Sequence, residues 1–309
     1  MTTYFEILYE DVSKRLDFFV SERAGTTRSQ AQKLIKDGSV LVNGNTESPN
    51  YRTKLSDTIE VNRPEEGTEG LVPENIPLNI LHMDGHVVVV DKPAGMVVYP
   101  AAGHGSGTLM NALAYHCDKL ASVGAPLRPG VVHRLDKDTS GVMVVALSDD
   151  VYYNLVGQFR ERTINRVYKA LVFGDFKGDS GVIEKSIGRS DSDRKRMSTR
   201  GRRGKPAFTT WRVIKRFGHA TLIAAKLGTG RTHQIRVHFA AIGHPVLGDD
   251  TYGRKTSLQI GKSRIDFPRQ MLHAETLGFT HPATGDYLEF EAGMPDDMTL
   301  CAERLACIA

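Results

Sequence analysis

The stretch "GVVHRLDKDTSGVMVVAL" (residues 130–147) sets a cluster of charged residues between two apolar runs. The charged positions of this cluster are Arg134, Asp136, Lys137 and Asp138. Because the Thr-Ser-Gly that follows favours a turn, we predict a loop between two buried strands. Asp138 is expected to cap that turn through the neighbouring backbone. Asp136 follows an apolar residue directly and is expected either to do the same or to face a half-dry cleft, where an unpaired charge is costly.

From Leu78 onward, short apolar runs dominate the sequence, and they predict strands. The runs are "HVVVVDKPAG" (86–95), "GVVHRLD" (130–136), "SGVMVVAL" (140–147), "VYKALVFG" (167–174), "TLIAAKLGTG" (221–230) and "THQIRVH" (232–238). Predicted helices are fewer, notably residues 107–120 and 150–162. Many strands with occasional helices predict an α+β domain, built on a mixed, mainly antiparallel sheet with a central cleft.

The first part of the chain predicts a separate small domain. Residues 13–61 contain two short amphipathic helices, the second starting near Ser29, followed by short strands with a turn at Asn43–Gly44. Residues 62–77 hold three prolines and four glutamates with little apolar content, which predicts a linker. The larger domain is then expected at residues 78–309.

Composition excludes several classes of protein. The 309 residues include 40% hydrophobic and 25% charged residues, which is ordinary for a globular protein. The start lacks the pattern of a signal peptide, and no apolar run is long enough to cross a bilayer. Three cysteines form no CxxC pair, which favours reduced thiols. We therefore expect a cytoplasmic protein without a membrane partner, and a monomer is the default expectation for its oligomeric state.

Positive charge is concentrated in one segment. Residues 185–216 contain twelve Lys or Arg against two Asp, a net of +10, so the rest of the chain carries 4 − 10 = −6. The candidate RNA contacts in this segment are Arg194, Lys195, Arg196, Arg202, Arg203 and Lys205. Such a segment is either a solvated, self-repelling loop or a phosphate-binding loop, since clustered cations release counterions from nucleic acid.

Two further stretches carry residue types suited to RNA chemistry. Arg231 follows a Gly-rich turn at the start of the predicted strand 232–238, and it is either an exposed cation or a bidentate partner for the carboxylate of Asp136. Tyr168 lies between basic residues on a predicted strand, so it belongs to the core or stacks on a base. His233 and His238 would lie on opposite faces of a strand, which argues against a zinc site.

Taken in order, these stretches resemble the RluA family of pseudouridine synthases. The resemblance rests on "GVVHRLDKDTSG", "RVYKA" and "GRTHQIRVH", supported by "DKPAGMVVYP", "GKPAFT" and "MLHAETLGFTHPATG", and it spans nearly the whole chain. The first module resembles the S4 RNA-binding domain through Arg15-Leu16-Asp17, Arg28-Ser29-Gln30 and "GSVLVNG" (38–44). Together they resemble the enzymes of this family that act on large-subunit ribosomal RNA.

The resemblance implies a role for each matched residue. Asp136 would be the catalytic aspartate, and Arg231 the arginine that pairs with it. Arg134 would enter the RNA stack as the uridine leaves. Tyr168 would stack on the base, and it is also considered as the base that removes the C5 proton. In the S4-like module, Arg28, Lys33 and Lys36 would lie on the RNA-facing helix, unless they are only its solvated face.

Uridine and pseudouridine are isomers, so the implied reaction needs no cofactor, and the sequence contains no P-loop, GxGxxG or metal-ligand cluster. The same reaction on tRNA remains an alternative. A uracil-excising glycosylase would share base extrusion but would leave an abasic site. A glycoside hydrolase fits less well, because Asp136 and Asp138 in one tight loop cannot flank a sugar. A non-catalytic RNA-binding or ribosome-assembly factor is the alternative from another class.

Overall fold

The computed structural model describes most of the chain in two compact units, Met1–Gly70 and Leu71–Ala309. The described ranges are residues 2–24, 28–62, 71–101, 103–191, 193, 196–201 and 204–308, with the side chains of Ser29 and Gln30 left aside.

The first unit is a small α+β module. Its elements are β1 (Thr2–Glu6), a 3-10 helix (Tyr9–Asp11), α1 (Leu16–Arg23), α2 (Arg28–Lys36), β2 (Val40–Val42), β3 (Asn45–Thr46) and β4 (Thr58–Asn62). The strands form an antiparallel sheet in the order β1-β4-β2-β3. The module begins earlier than the predicted residue 13, because β1 pairs with β4 along its full length.

Helix α1 buries the residues that its spacing predicts. Leu16, Phe19 and Val20 lie at i, i+3 and i+4, and all three are buried against Ile35 of α2 and the valines of the sheet. Asp17, on the same helix, is also fully buried, and three side chains that donate hydrogen bonds to it compensate for its burial: Arg15, Arg28 and Gln32.

The second unit has a large sheet with helices on both faces. Its strands are β5 (Asn79–Met83), β6 (Val87–Lys92), β7 (Ser140–Ala146), β8 (Asn165–Phe173), β9 (Ser180–Glu184), β10 (Gly188–Arg189), β11 (Met197–Ser198), β12 (Phe208–Arg216), β13 (Ala220–Leu227), β14 (Ser257–Ile260), β15 (Ser263–Asp266), β16 (Leu272–Thr280) and β17 (Tyr287–Glu291). Its helices are α3 (Leu109–His116), α4 (Asp149–Glu161), α5 (Gln234–Ala241) and α6 (Asp296–Ala306).

Nine of these strands, as far as the described residues go, form one mixed sheet. Its order is β5-β6-β7-β16-β8-β13-β12-β9, with β17 paired to β16. Only the β7–β16 pairing is parallel, and the other neighbours in this sheet are antiparallel. The parallel pair joins Ser140 to His273 and Gly141 to Ala274. The φ of +120° at Gly141 and its close approach to the Ala274 carbonyl leave no room for a side chain. The predicted fold class is confirmed.

The central strands are apolar throughout because both sheet faces are covered. In β6, Val88 and Val90 face the core beneath α3 and α5, whereas Val87 and Val89 face the core beneath α4. A strand buried on both faces reads as a continuous apolar run rather than an alternating one. The sheet face that carries Val88 and Val90 also carries Tyr168 of β8, and it therefore positions the candidate site.

Two predicted strands are wrong. The run 130–136 makes only an isolated bridge, Val131 to Val145, before continuing as an irregular loop. The run 232–238 is a turn followed by helix α5, so His233 and His238 do not alternate across a sheet. Gln234 fixes the start of this helix, because its amide bonds the backbone of Arg231 and of Phe208.

The predicted linker is shorter in the structure than 62–77. Asn62 is the last residue of β4. Residues 71–77 belong to the second unit, where the Glu74 carboxylate accepts from the Gly107 backbone and Asn111 donates to the carbonyl of Val72. Polar composition alone therefore predicted too long a linker, because these contacts hold the second half of the predicted segment against α3.

No helix within the described residues is both long enough and apolar enough to span a bilayer.

Candidate active site

A cleft of about 490 Å³ opens on the sheet face that carries Tyr168. Its lining includes all four residues that the sequence singled out for chemistry: Arg134, Asp136, Tyr168 and Arg231. They come from three separate stretches of the chain, which the sheet and α5 bring together. The volume lies within the usual range for small-ligand sites.

The loop that carries Asp136 is held from beneath by a buried lysine. Lys92 is fully buried, and its Nζ donates to the carbonyl oxygens of Pro93, Met96 and Lys137 at 2.7, 3.0 and 3.1 Å. The backbone N–H of Gly95 donates to the same Lys137 oxygen. Burial lowers the pKa of Lys92 to about 7, and three acceptors match the three protons of its ammonium form. Lys92 thus ties β6 to the loop next to Asp136.

A second clamp holds the far end of that loop. Arg269 makes a bidentate ion pair with Asp297 of α6, at 2.7 and 2.9 Å. Its Nη1 donates to the carbonyl oxygen of Asp138 at 3.0 Å. The loop is therefore fixed by polar contacts on both sides, which a rigid site requires.

The carboxylate of Asp136 is paired with Arg236, a residue of α5. Arg236 Nη1 donates to Asp136 Oδ2 at 2.8 Å, while its Nε and Nη2 form a bidentate pair with Asp249 at 2.7 and 3.0 Å. Asp249 is buried and also accepts from two backbone N–H groups. Burial by itself would lower the pKa of Arg236, but the hydrogen bonds and charges of Asp249 and Asp136 outweigh it and raise that pKa. The guanidinium is thus a permanent cation beside Asp136.

The predicted pairing of Arg231 with Asp136 is wrong. Arg231 lines the same cleft, but its Nε donates to the carbonyl oxygen of Pro206 at 3.3 Å. In the predicted strand, residues 231 and 236 would point to opposite faces, so Arg236 was overlooked. Because the chain turns into a helix after His233, Arg236 instead faces the loop of Asp136.

His233 lies on the other side of the carboxylate. Its Nε2 is 3.6 Å from Asp136 Oδ1, and its Nδ1 lies 2.7 Å from the hydroxyl of Tyr252. That hydroxyl also accepts from the Met197 N–H, so Tyr252 links His233 to the strand of Met197. Burial lowers the pKa of His233, although the Asp136 charge opposes this, so the ring is neutral at pH 7. Its left-handed backbone, with φ +56°, is unusual for a non-glycine residue.

Tyr168 presents its ring to the cleft from the middle of the sheet. It lies on β8, paired with Ala225 of β13 and Ala274 of β16, whose small side chains leave room above them. Burial raises the pKa of Tyr168, and the nearby Asp136 charge adds to this against the opposing charge of Arg166. Its hydroxyl is therefore a neutral phenol at physiological pH.

The remaining predicted RNA contacts occupy different surroundings. Arg134 is exposed, and its guanidinium bonds the hydroxyl of Tyr99 at 2.9 Å at the edge of the cleft. Arg196 stacks over the ring of Tyr252, which connects the basic segment to His233, and Lys205 is exposed. The other cations predicted in this segment lie outside the described residues: Arg194, Lys195, Arg202 and Arg203.

In the first unit, the three predicted cations all lie on α2. Lys33 and Lys36 are exposed, whereas the Arg28 Nε donates to the buried Asp17 at 3.1 Å. Half of the Arg28 side chain is nevertheless exposed. Arg28 therefore has a structural contact within the module as well as an accessible surface.

Sequence reasoning missed Arg236, His233 and Asp249. The first two lie within the stretch that was singled out, but its β-branched residues and alternating pattern favoured a strand. Asp249 follows Gly248 in "LGDD", an ordinary turn sequence whose burial no local pattern indicates. Among the described residues, no group of three His, Cys, Asp or Glu side chains is arranged to hold a metal ion.

Comparisons with known proteins identify the family of the chain. The sequence profile of the family "RNA pseudouridylate synthase" matches residues 86–241, and that of the S4 domain matches residues 14–59. The chain is 45% identical over 298 residues to the uncharacterized RNA pseudouridine synthase YlyB of Bacillus subtilis, covering 96% of this chain and 95% of that protein. It is 43% identical over 284 residues to the ribosomal large subunit pseudouridine synthase D of Zymomonas mobilis, covering 90% and 89%.

A solved structure shares the fold. The human RNA pseudouridylate synthase domain containing 1 superimposes with a TM-score of 0.57 and 27% identity, covering 74% of this chain and 89% of that one. The profile match includes the Asp136 loop, β8 and α5, which together build the cleft. The chain therefore belongs to the RNA pseudouridylate synthase family, carries an S4 domain, and is an RNA pseudouridine synthase.

Proposed function

We propose that this enzyme converts specific uridines of large-subunit ribosomal RNA to pseudouridine, with Asp136 as its catalytic residue. The observation that carries the proposal is the ion pair of Asp136 with Arg236 inside the cleft. The Asp136 side chain keeps 19% of its surface exposed, whereas Arg236 is 7% exposed. The carboxylate is thus paired with a buried guanidinium and remains accessible to a substrate.

The target uridine must leave its stack before the reactive carbon can reach that carboxylate. Extrusion costs a few kcal/mol, which contacts in the cleft must offset. Arg134, exposed at the edge, would fill the space that the uridine vacates, and Tyr168 would stack on the base. Arg231, which does not contact Asp136, would bind the RNA backbone near the entrance.

The reaction conserves every atom. The N1–C1′ bond of the uridine breaks, the uracil turns, and its C5 forms a bond to C1′. Asp136 acts either as a nucleophile at C1′ or as a base at C2′, and it is regenerated on both routes. Arg236 has to hold the carboxylate in place throughout. The apolar walls of the cleft would keep out water, which would otherwise hydrolyse the detached sugar.

The RNA target follows from the relatives. Several similar proteins are named as ribosomal large subunit pseudouridine synthase D, with 40–46% identity over most of this chain. The S4 domain supplies a second surface of exposed cations, Lys33 and Lys36, for RNA around the target. Large-subunit ribosomal RNA is therefore favoured over tRNA.

The experiment is to incubate the enzyme with unmodified ribosomal RNA and to map pseudouridine. We expect modified sites in large-subunit RNA with the RNA mass unchanged. Asp136→Asn should abolish the reaction and leave RNA affinity within a few-fold, and Asp138→Asn is the matched control in the same loop. Substantial turnover by Asp136→Asn would contradict the assignment. Abasic sites would indicate a glycosylase, and modification of tRNA alone would contradict the ribosomal target.

A further inference from the structure

Arg166 is a buried arginine that pairs with no anion among the described residues. It lies on β8, two residues before Tyr168 and on the same sheet face, and only 8% of its surface is exposed. Its Nε is buried and has no hydrogen-bond partner. Within the described ranges, its one specific contact is the ring of Phe159, with the guanidinium carbon 5.3 Å from the ring centroid.

Such a side chain is costly in the folded protein. Moving an unpaired cation out of water costs several kcal/mol, and a single ring face offsets only part of that cost. Burial accordingly lowers the pKa of Arg166, against the opposing effect of Tyr168. The neighbouring His133 has a pKa lowered to about 3 by its own burial and by Arg166, so it is neutral and brings no further charge. Unsatisfied polar groups of this kind commonly mark functional sites.

The position of Arg166 indicates which ligand it meets. Six arginines line the cleft, and they differ in depth and pairing. Three of them are exposed at the edge, where backbone phosphates can reach them: Arg134, Arg160 and Arg162. Arg231 is partly exposed and donates to the carbonyl oxygen of Pro206, and Arg236 is already paired with two carboxylates. As far as the described residues show, Arg166 is the buried arginine of the cleft without a carboxylate partner. Only an extruded base enters that far, because the phosphates remain on the chain outside.

The geometry next to Tyr168 fits a base. Residues i and i+2 on one strand face lie about 7 Å apart. A uracil stacked on the Tyr168 ring would therefore bring its carbonyl oxygens within reach of the Arg166 guanidinium.

We propose that Arg166 is a further catalytic residue, whose guanidinium binds the carbonyl oxygens of the extruded uracil and neutralises the charge that the base acquires as it leaves the ribose. The inference rests on the proposed function. When the N1–C1′ bond breaks, its electron pair remains on the uracil, which becomes an anion with charge on N1, O2 and O4. C5 then bonds to C1′, its proton is released, and N1 takes up a proton. This charge develops whether Asp136 acts at C1′ or at C2′.

The test compares a normal leaving group with a better one. RNA carrying uridine or 5-fluorouridine at the target is mixed with excess enzyme, and the rate of N1–C1′ cleavage is measured for both. Fluorine withdraws electrons and stabilises the detached base, so that substrate depends less on the enzyme's cation. Arg166→Met should lose about 10²–10³-fold with uridine and about tenfold less with 5-fluorouridine. Arg166→Lys, which keeps the charge, should lie between wild type and Arg166→Met.

Two controls separate this role from others. Arg160→Met removes an exposed guanidinium from the same cleft, and it should weaken RNA binding and reduce the salt dependence without changing the ratio between substrates. Gly230→Ala retains the arginine at position 166 but sets a methyl group 2.8 Å from the Arg166 Nη1, so the guanidinium must shift. That variant should reproduce the altered ratio in milder form. Because Arg166 has no anionic partner, Arg166→Met should fold, with a Tm equal to or above that of wild type.

Other results of this comparison would overturn the proposal. Equal losses on both substrates would show that Arg166 does not stabilise the leaving base, and the proposal would be overturned. Weaker RNA binding with a reduced salt dependence would place a phosphate at Arg166 and overturn it as well. If the wild-type enzyme cleaves and isomerises normally, either result refutes the role of Arg166 alone. If wild type forms no pseudouridine in any RNA, the proposed function fails first and this inference with it.

Discussion

Arg236 and Asp136 lie 100 positions apart in the chain, yet Nη1 of the arginine donates to Oδ2 of the aspartate at 2.8 Å. The same guanidinium is held from behind by the buried Asp249. One cation thus serves two carboxylates, of which one is sealed and the other is accessible from the cleft. This relationship orients Asp136 without closing it off.

Replacing Arg236 with Met should destabilise the protein and abolish turnover. Asp249 would be left as an unpaired charge in the core, so the free energy of unfolding should fall by about 3–5 kcal/mol. Chemical denaturation and single-turnover pseudouridine assays measure both effects. Arg231→Met is the matched control, because Arg231 contacts a carbonyl rather than Asp136. Normal turnover of Arg236→Met, or a stability loss of the same size for Arg231→Met, would contradict the pairing.

Lys92→Met should loosen the loop that carries Asp136. Three carbonyl oxygens would lose their donor, so we expect the free energy of unfolding to fall by about 3 kcal/mol and turnover to fall with it. Lys137→Met removes an exposed lysine from the same loop and should leave both nearly unchanged. Hydrogen exchange at residues 95–139 would show whether the loop has become mobile. Unchanged exchange would contradict an anchoring role.

His133 should make stability depend on pH. Its pKa in the folded protein is lowered to about 3, against an ordinary value of 6.5, because the ring is buried and lies near Arg166. The unfolded chain therefore binds a proton as the pH falls below 6.5 while the folded protein does not. The free energy of unfolding should therefore fall progressively as the pH is lowered from 6.5 toward 3. His133→Gln, which keeps an acceptor for the Val144 N–H, should reduce this slope by about 1.4 kcal/mol per pH unit.

Urea denaturation at pH 4, 5, 6 and 7 measures that slope. The same substitution at the exposed His219 tests whether any histidine change has this effect. A slope that His133→Gln leaves unchanged would show that another group causes the acid sensitivity.

The aromatic ring of Tyr168 should contribute to RNA binding by stacking on the target base. Tyr168→Phe keeps the aromatic face and should bind target RNA with nearly wild-type affinity, whereas Tyr168→Leu should lose about 1–3 kcal/mol of stacking. Because the pKa of Tyr168 is raised by burial, its ionisation should not appear in the pH–rate profile between pH 7 and 9. Binding measurements with the Asp136→Asn background avoid turnover. Equal affinities of the Phe and Leu variants would argue against stacking.

The S4 domain should contribute phosphate contacts. Lys33→Gln and Lys36→Gln should each weaken RNA binding at every sequence and lower the magnitude of the salt slope by about 1. Lys54→Gln, an exposed lysine of the same domain outside α2, is the control. Titrations of RNA affinity against salt concentration measure these changes. If Lys54→Gln reduced the affinity and the salt slope as much as the α2 variants, α2 would have no special role in RNA binding.

The sequence by itself determined the elements whose signals are local. The valine run of β6 and β7, the helix spacing of Leu16 and Phe19, and the turn after Asp136 all depend on neighbours in the chain. The matches of the charged loop and of "RVYKA" to a family supplied Asp136 and Tyr168 as candidates. Each of these inferences needs only a short window of residues, in which burial or turn formation leaves a pattern.

Only the tertiary structure decided which arginine holds Asp136. Residues 232–238 carry a pattern that suits a strand, but contacts of Gln234 with a distant strand start a helix there, and the helix turns Arg236 rather than Arg231 toward the carboxylate. The burial of Asp249 and of Arg166 was likewise invisible, since Asp249 lies in an ordinary turn sequence and a charged residue at the start of a strand is usually exposed. Pairing and depth depend on residues far apart in the chain, so no local pattern encodes them.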